Sequence, residues 1–267
     1  MLLKTIRRVV GKIAAAALIG LGIASAAQAT TVDDIVKRGT INIGVLTQSP
    51  QWSFLDENQN LAGYEIDAAN LIGRYLGVKV NFVSLVPANR IPYLISGKID
   101  AVFAIFGITP ERAQQIAFSI PYSSNPTSLY APKAAKIGSW ADVANYRISV
   151  ARGGVQERIA DANAPKGTKI LRFDSNAEET QAIVTGQADV IITVASVISE
   201  INKASPDLQV EPKLTLSIQH NGIGVAKENT DLLRWFNTTI NYVKYNGELD
   251  AIHRKWFGEP LPQLPSF

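Results

Sequence analysis

The chain has 267 residues, no cysteine and a formal net charge of +3. The lack of cysteine excludes disulfides, thiolate metal sites and a cysteine nucleophile. Its length suits one large domain or two smaller ones with a substantial apolar core.

The N-terminal segment has the pattern of an export signal. Four basic residues precede or begin an apolar run from Ile13 to Ala27, and Ala27-Gln28-Ala29 offers the small-x-small motif of a cleavage site. Glycines interrupt this run, which is shorter than the ~20 apolar residues that a membrane span needs. We therefore predict that residues 1–29 are a signal peptide, cleaved after about Ala29, and that the mature protein is periplasmic.

The positive charge of the chain belongs to this export segment. The segment contains four of the 26 basic residues and none of the 23 acidic ones, which leaves 22 basic and 23 acidic residues and a net charge of −1. The charge therefore gives no support for a partner that is a nucleic acid or a membrane surface. The motifs of the chain also give no reason to expect a metal or another cofactor.

Short β-rich runs alternate with amphipathic stretches along the rest of the chain. The predicted strands are residues 41–46, 79–85, 101–106, 147–151, 169–173 and 189–194. The predicted helices are residues 62–77, 88–97, 155–164 and 176–186. This alternation predicts an α/β fold with mainly parallel sheets.

One short pattern occurs twice. Gly97 and Gly186 each end a predicted helix, and Asp100 and Asp189 follow three residues later, each before a buried strand. Glycine is suited to a helix C-cap and aspartate to a turn, so we predict structural roles for all four residues. The repeat indicates two similarly built lobes.

Two polar, turn-rich segments, residues 119–133 and 217–228, are candidate crossings between these lobes. If both cross, the C-terminal helices complete the first lobe and the two crossings form a hinge. The predicted domains are therefore lobe 1, residues 30–125 with 222–267, and lobe 2, residues 126–221.

Residues 104–116, AIFGITPERAQQI, place an arginine in the first turn of a predicted helix. Thr109 suits the N-cap and Pro110 the first helical position, so Arg112 lies where the helix dipole is positive. Adjacent helical residues do not face each other, and Glu111 is therefore not an obvious partner. A cation at the positive end of a helix, with no obvious partner to compensate for the unfavourable dipole, indicates a functional role for Arg112.

The order of these motifs resembles that of the bacterial extracellular solute-binding proteins of the polar amino-acid type. The resemblance covers residues 32–260 and rests on VKRGTINIGVL, PQWSFLDENQNLAGYEIDAANLI, ITPER followed by FSIPY, GQADVIIT and LDAIHRKWFG. It implies the type II periplasmic binding-protein fold, in which two α/β lobes joined by a two-strand hinge close on a ligand. It also implies a monomer that binds an amino acid or related small carboxylate and delivers it to the membrane permease of an ABC transporter.

The resemblance assigns the α-carboxylate of the ligand to Arg112. A guanidinium presents a planar fork that matches a carboxylate, and such charge-assisted bonds contribute ~1.5–3 kcal/mol each. Backbone N–H groups of the same turn would donate to the same anion. The second carboxylate-binding element of the family is a Gly-Thr-Thr turn, and here its place is taken by Gly153, Gly154 and Val155. The backbone donors remain at these positions, but the hydroxyl groups are lost.

The chain departs from the family at positions where polar contacts are expected. Val194 stands where relatives carry the aspartate that pairs with the ligand ammonium, and Ile105 and Gly107 replace the usual serine and threonine. A dehydrated ammonium without a countercharge costs several kcal/mol. Either another acid pairs with it, Glu178 and Glu179 being the nearest along the chain, or the ligand has no ammonium. Both acids also suit the start of a helix.

Arg90 matches an arginine that holds the side-chain carboxylate in acidic amino-acid binders of the family. Together with Arg112 it favours an anionic ligand, such as a dicarboxylate or oxo-acid. Aromatic rings and small polar side chains commonly complete the walls of such a site. The remaining predicted ligand contacts are of this kind: Trp52, Tyr122, Ser49 and Asn176.

Two other functions use the same fold. An extracytoplasmic dehydratase would need a cleft carboxylate as acid or base, and Val194 removes one obvious place for it. The chain has two histidines and neither an HExxH nor a G-x-S-x-G motif, and we predict that His253 is solvated and that His220 is structural. A ligand sensor for a membrane receptor would use the same closure as a transport protein. We predict a binding protein rather than an enzyme.

Overall fold

A computed structural model describes residues 31–265 of the chain. The predicted export signal, residues 1–29, lies outside the described residues. The helices are α1 (Val32–Arg38), α2 (Tyr64–Leu76), α3 (Arg90–Ile95), α4 (Pro110–Ala113), α5 (Val155–Asn163), α6 (Asn176–Val184), α7 (Ala195–Ala204), α8 (Thr230–Tyr245) and α9 (Glu248–Phe257). Short 3₁₀ turns cover Pro87–Asn89, Trp140–Asn145 and Pro206–Leu208.

The strands are β1 (Thr40–Val45), β2 (Gln48–Ser49), β3 (Ser53–Leu55), β4 (Leu61–Ala62), β5 (Lys79–Ser84), β6 (Ala101–Val102), β7 (Ala117–Pro132), β8 (Arg147–Ala151), β9 (Lys169–Phe173), β10 (Val190–Thr193) and β11 (Val210–Val225). Most predicted strands agree with these bounds to within about a residue. The prediction for 101–106 is wrong beyond Val102. There the chain turns at Ile105, whose φ of 48° is incompatible with an extended strand.

An eight-stranded sheet runs through the molecule in the order β5-β1-β6-β11-β7-β10-β8-β9. β1 is parallel to β5 and β6, and β8 is parallel to β9 and β10. Parallel neighbours require crossover connections, which the helices supply while covering the sheet. The predicted α/β fold is confirmed.

β7 and β11 divide this sheet into two lobes. Lobe 1 contains β1, β5 and β6, and lobe 2 contains β8, β9 and β10. The two dividing strands pair antiparallel over their whole length, and shifts in register interrupt the pairing at four places along β11. Such irregularities bend a strand and increase its twist. The crossings are thus long irregular strands that contribute to both lobes.

Each lobe has apolar clusters on both faces of its part of the sheet. In lobe 1, Phe236 of α8 belongs to one cluster and Leu94 of α3 to another. In lobe 2, Ile198 of α7 and Ile148 of β8 belong to separate clusters. The apolar core of each lobe is therefore formed within that lobe, and none of these clusters extends across the cleft. Within residues 31–265, no helix is both long enough and apolar enough to cross a membrane.

The repeated glycines end helices, as predicted. Gly97 and Gly186 have φ values of 69° and 70° and follow α3 and α6. Their N–H groups bond to the carbonyl oxygens of Leu94 and Ile183, at 3.1 Å in both cases. A side chain at either position would have to adopt the left-handed region, which favours glycine.

The repeated aspartates tie equivalent strands together in the two lobes. Asp100 Oδ2 accepts a hydrogen bond from the N–H of Asn42 at 2.7 Å and forms an ion pair with Arg38. Asp189 Oδ2 accepts from the N–H of Arg147 at 2.8 Å, and its carboxylate also binds the Arg147 guanidinium. The predicted structural role of these residues is confirmed.

We expect Asp100→Ala and Asp189→Ala each to lower the free energy of unfolding by about 1–3 kcal/mol, because a backbone N–H loses its acceptor. The loss should be larger for Asp100, whose side chain is 6% exposed against 33% for Asp189. Urea unfolding followed by circular dichroism measures both. Asp174→Ala removes an exposed ion pair with Arg152 and is the control, with an expected change within about 0.5 kcal/mol. Equal changes in all three variants would contradict the structural role.

Candidate functional site

A small cavity lies between the two lobes, with a volume of about 50 Å³. Residues of both lobes line it. Among the eleven predicted ligand contacts, the lining includes Ser49, Trp52, Arg90, Ile105, Gly154, Asn176 and Val194. The other four predicted contacts are not among the residues that line it: Arg112, Gly107, Val155 and Tyr122.

Arg112 lies in α4, whose N-cap is Thr109, as predicted, with Thr109 Oγ1 accepting from the N–H of Arg112. Its side chain is buried, with 4% exposed. Nη1 donates to the carbonyl oxygen of Gly107 and Nη2 to that of Gly153, both at 2.7 Å. Because Gly153 belongs to lobe 2, this guanidinium joins the lobes.

Arg90 lies at the start of α3 and is equally buried. Nε donates to the carbonyl oxygen of Pro87 and Nη1 to that of Ala104, each at 2.9 Å. Nη2 donates to the carbonyl oxygen of Gly153 at 3.2 Å. Two guanidinium groups of lobe 1 therefore converge on a single carbonyl group of lobe 2.

These buried arginines raise the positive charge of the site. No described acid forms an ion pair with either guanidinium. Burial, followed by repulsion from neighbouring arginines, lowers the pKa of Arg112 to about 8. Burial and repulsion by Arg158 lower the pKa of Arg90 to about 10. Both groups are still cations at neutral pH, so the site favours an anion.

Gly153 is at the point where the lobes touch. Its φ is 72°, and a Cβ there would lie 2.9 Å from the Cα of Ala88 in lobe 1. Its N–H donates to Glu157 Oε2 at 2.8 Å, and the N–H of Gly154 donates to the carbonyl oxygen of Ala151 at 3.2 Å. Both N–H groups are therefore engaged within lobe 2. Their binding of a ligand carboxylate stays a prediction.

Gly107 and Val155 shape a second contact between the lobes. A Cβ on Gly107 would lie 2.7 Å from Gln219 Cδ and 2.9 Å from Val155 Cγ2. The absence of a side chain at Gly107 thus lets α5 and β11 approach the turn before α4. In this closed arrangement, Gly107 contributes its carbonyl oxygen to Arg112, and Val155 packs against the turn.

Ile105 is strained, because a β-branched residue rarely adopts a φ of 48°. Its N–H donates to Glu65 Oε1 at 2.9 Å. Its carbonyl oxygen accepts from Arg90 Nη1 at 3.3 Å and from Gln219 Nε2 at 3.2 Å. Contacts from α2, α3 and β11 therefore hold this residue in the cavity wall.

Glu65 is fully buried beneath this wall. Its Oε2 accepts a hydrogen bond from the hydroxyl of Tyr122, and burial raises its pKa to about 7. Tyr122, predicted as an apolar wall, supports the wall from behind and does not line the cavity. The sequence analysis missed Glu65, although an acid among the apolar positions of GYEID was a signal of its buried role.

The predicted polar contact Asn176 links the lobes, since its Nδ2 donates to Ser49 Oγ at 3.0 Å. Trp52 lines the cavity and packs against the rings of Tyr64 and Phe257, with centroids 5.6 and 4.8 Å away. Val194 is the N-cap residue of α7 and lines the cavity with an apolar side chain. This wall of lobe 2 therefore lacks an acid at position 194.

The two adjacent acids of α6 have different surroundings. Glu178 is exposed and accepts a hydrogen bond from the N–H of Ser175 at 3.1 Å, as a helix-start acid does. Glu179 is buried and lines the cavity, and burial raises its pKa well above its ordinary value. Glu178 is therefore a helix-start acid, as one interpretation of the sequence expected, whereas Glu179 is a buried acid of the cavity wall.

The prediction that His253 is solvated is wrong. The residue is 3% exposed, its Nδ1 lies 2.9 Å from the carbonyl oxygen of Glu259, and its ring packs against Tyr64 and Phe257. The error arose because the apolar face of α9 turns inward at this position. Across residues 31–265, no group of three or more His, Cys, Asp or Glu side chains is placed to hold a metal ion.

Residues 41–259 match the family model of bacterial extracellular solute-binding proteins, family 3. The chain belongs to this family. The resemblance stated from the motifs is therefore confirmed, and the two-lobed architecture is that of a type II periplasmic binding protein.

Several relatives of this solute-binding protein are known by name. The L-cystine-binding protein TcyJ of Escherichia coli K12 is 26% identical over 93% of this chain and 94% of its own length. The structure of an ancestral arginine-binding protein bound to glutamine is 36% identical, with a TM-score of 0.78 over 83% of this chain and 99% of that one. The ancestral amino acid-binding protein AncCDT-1, a precursor of cyclohexadienyl dehydratase, is 33% identical, with a TM-score of 0.77 over 85% of this chain and 99% of that one.

We expect Glu65→Gln to change how stability depends on pH. The pKa of Glu65 is raised from 4.5 to about 7, so the buried carboxyl favours folding below its unfolded-state pKa and loses this contribution as the pH rises through 7. Relative to the variant, the wild type should lose on the order of 3 kcal/mol of unfolding free energy between pH ~4 and pH ~8.

Urea unfolding at several pH values measures this difference. Glu57→Gln, which changes an exposed acid of the same lobe, is the control and should follow the wild type. A Glu65→Gln curve parallel to the wild type over the whole range would show that Glu65 does not titrate as its burial implies.

Proposed function

We propose that this solute-binding protein captures an amino acid or related small carboxylate in the periplasm and delivers it to the membrane permease of an ABC transporter. The observation that carries the proposal is the cavity between the lobes, which is lined by the buried cation Arg90. The buried cation Arg112 shares the carbonyl oxygen of Gly153 with Arg90, and neither arginine has an acidic ion-pair partner among the described residues. The relatives named above as binding proteins for cystine and arginine support an amino acid as the ligand class.

A ligand carboxylate would complete the bonds of these arginines. In the closed arrangement, Gly153 offers a neutral carbonyl oxygen to both guanidinium groups. A carboxylate carries a full charge and two acceptor oxygens in the plane that a guanidinium matches, so its bonds are stronger. The ligand would then join lobe 1 to lobe 2 more tightly than the carbonyl group does.

We further propose the domain boundaries that follow from the paired strands. Residues 30–125 with 222–267 form one moving body, and residues 126–221 form the other. The pairs Asn125–Gln219 and Pro126–Ile218 lie at the change between the two sets of sheet neighbours, and the register of β11 shifts on both sides of them. A ligand that touches both lobes favours the closed state by its differential affinity.

The protein binds its ligand without transforming it and acts as a monomer. His253 packs against Tyr64 and Phe257 and is not among the residues that line the cavity described above, and the named relatives are binding proteins. The dehydratase link of one structural relative is the reason to test catalysis directly. Incubation of the purified protein with a bound ligand, followed by mass spectrometry, should return the ligand unchanged.

We expect Arg112→Ala to weaken binding of the ligand by at least about 30-fold, because a buried ligand carboxylate loses its main charged partner. The ligand is first found by thermal unfolding of refolded residues 30–267 against the common L-amino acids and L-cystine. At about 100 times its Kd, a ligand adds about 2.7 kcal/mol to the unfolding free energy.

Calorimetric titration then compares wild type, Arg112→Ala and the control Arg254→Ala, which removes an exposed arginine of α9. The control should bind as the wild type does. Wild-type affinity in Arg112→Ala would remove this arginine from the site.

Ligand should bring the lobes together. The chain has no native cysteine, so spin labels can be placed selectively at Asn70→Cys in lobe 1 and Lys166→Cys in lobe 2, both exposed positions. We expect the ligand to shorten and narrow the distance distribution between these labels, measured by double electron–electron resonance. The pair Lys37→Cys and Asn70→Cys within lobe 1 should give an unchanged distance. A ligand that stabilises the protein without altering the interlobe distance would contradict closure.

A further inference from the structure

Glu179 lies on the lobe 2 wall of the cavity, in α6. Its side chain is 5% exposed, although Glu178 beside it is exposed and caps the helix. The backbone carbonyl oxygen of Glu179 accepts a hydrogen bond from Ser149 Oγ at 2.8 Å, which fixes the helix backbone against β8. The helix thus places this carboxyl group at the cavity.

The carboxyl group has no partner of its own. Its Oε1 is buried and lacks any hydrogen-bond partner within residues 31–265. None of the described ion pairs includes it, unlike the carboxylates of Asp100 and Asp189, which bind arginines. Burying a carboxyl group without a partner is costly, and nearly all buried polar groups are satisfied. An unsatisfied one in a cavity wall therefore indicates a partner that the ligand supplies.

We propose that Glu179 binds the ammonium group of the ligand, and that the ligand is a zwitterionic α-amino acid. The inference rests on the proposed function, because it divides the same cavity into a carboxylate end and an ammonium end. The acid comes from α6, whereas Val194, the position at which an acid was expected, is the N-cap of α7. Of the two alternatives left by Val194, the structure favours a replacement acid.

The two sides of the cavity carry different charges, so they favour different groups of the ligand. Arg90 lines the lobe 1 side of the cavity, with Arg112 behind it, and these groups favour the carboxylate of the ligand. Thr180 and Thr193 line the cavity from the same lobe as Glu179 and offer hydroxyl acceptors. An ammonium has three donors for such a set, whereas a second carboxylate would face an acid.

Binding of an ammonium would also release a proton. Burial raises the pKa of Glu179 well above its ordinary value, so the free protein favours the neutral carboxyl more than an exposed glutamate would. The elements packed against α6 are β2, β8, β9, β10 and α7, and burial is the only cause of the shift. The titratable residues on those elements, none of which contributes, are Arg147, Lys169, Arg172, Glu200 and Lys203.

An ammonium stabilises the ionised carboxylate, so affinity for an amino acid should rise with pH up to the raised pKa of Glu179. Below that value it should fall by about tenfold per pH unit.

The test compares each amino acid with the same molecule lacking its ammonium group. The probes are L-alanine with propionate, L-cysteine with β-mercaptopropionate, L-glutamine with glutaramate, and L-arginine with δ-guanidinovalerate. Calorimetric titrations use the refolded wild type, Glu179→Gln and the control Glu178→Gln. We expect the wild type and the control to prefer the binding amino acid over its analogue by at least about 30-fold, and Glu179→Gln to lose that preference.

Binding of the analogue by Glu179→Gln at wild-type affinity shows that the variant is folded. Titration in buffers of different ionisation enthalpy measures the released proton. This proton release should be absent in Glu179→Gln. Because the variant retains Glu65, the other buried acid, the loss would identify Glu179 as the source of the proton. Equal wild-type binding of an amino acid and its analogue, or a preference that survives in Glu179→Gln, would overturn the assignment and leave the proposed function intact. If none of the common L-amino acids, L-cystine or these analogues binds the wild type, the proposed function fails as well.

Discussion

Two buried guanidinium groups of lobe 1 meet one carbonyl oxygen of lobe 2, and this convergence sets the geometry of the cleft. Arg90 and Arg112 both donate to Gly153, so the start of α5 must come within hydrogen-bond distance of α3 and α4 at once. That approach is possible because Gly153 has no side chain where the Cα of Ala88 lies. Gly107 likewise has no side chain at the point where Val155 approaches it. The glycines and arginines of the site therefore form one arrangement that brings the two lobes together.

The hinge is polar inside as well as irregular. Asn221 Nδ2 donates to Ser123 Oγ at 3.0 Å and to Asn125 Oδ1 at 2.8 Å, and Gln219 Nε2 donates to Asn221 Oδ1 at 2.7 Å. These buried amides link β7 to β11 at the crossing between the lobes. Gln219 also donates to the strained Ile105 in the cavity wall, so the crossing strands and the ligand site share a hydrogen-bond network. Bonds of this kind are directional, and they define a limited set of relative lobe positions.

The lobe 2 wall of the cavity is where this site departs from the pattern expected of the family. An apolar residue at 194 would leave an ammonium without a countercharge, and a buried acid at 179 restores one from a neighbouring helix. Glu179 is also the kind of cleft carboxylate on which a catalytic role would depend, and recovery of an unchanged ligand separates the two roles.

The sequence by itself determined most of the shorter strands and helices, the family and many of the residue types of the site. Alternating strand and helix patterns are local, and so are the N-cap of Thr109 and the glycine ends of α3 and α6, because each depends on residues within one turn. Only the tertiary structure decided which side chains meet. Glu178 and Glu179 are adjacent and chemically alike, yet one is exposed and the other buried, because successive helical residues point about 100° apart. The positions of His253, Glu65 and Tyr122 likewise depend on contacts between elements distant in the chain, Tyr64 with His253 and Glu65 with Tyr122, which no local pattern records.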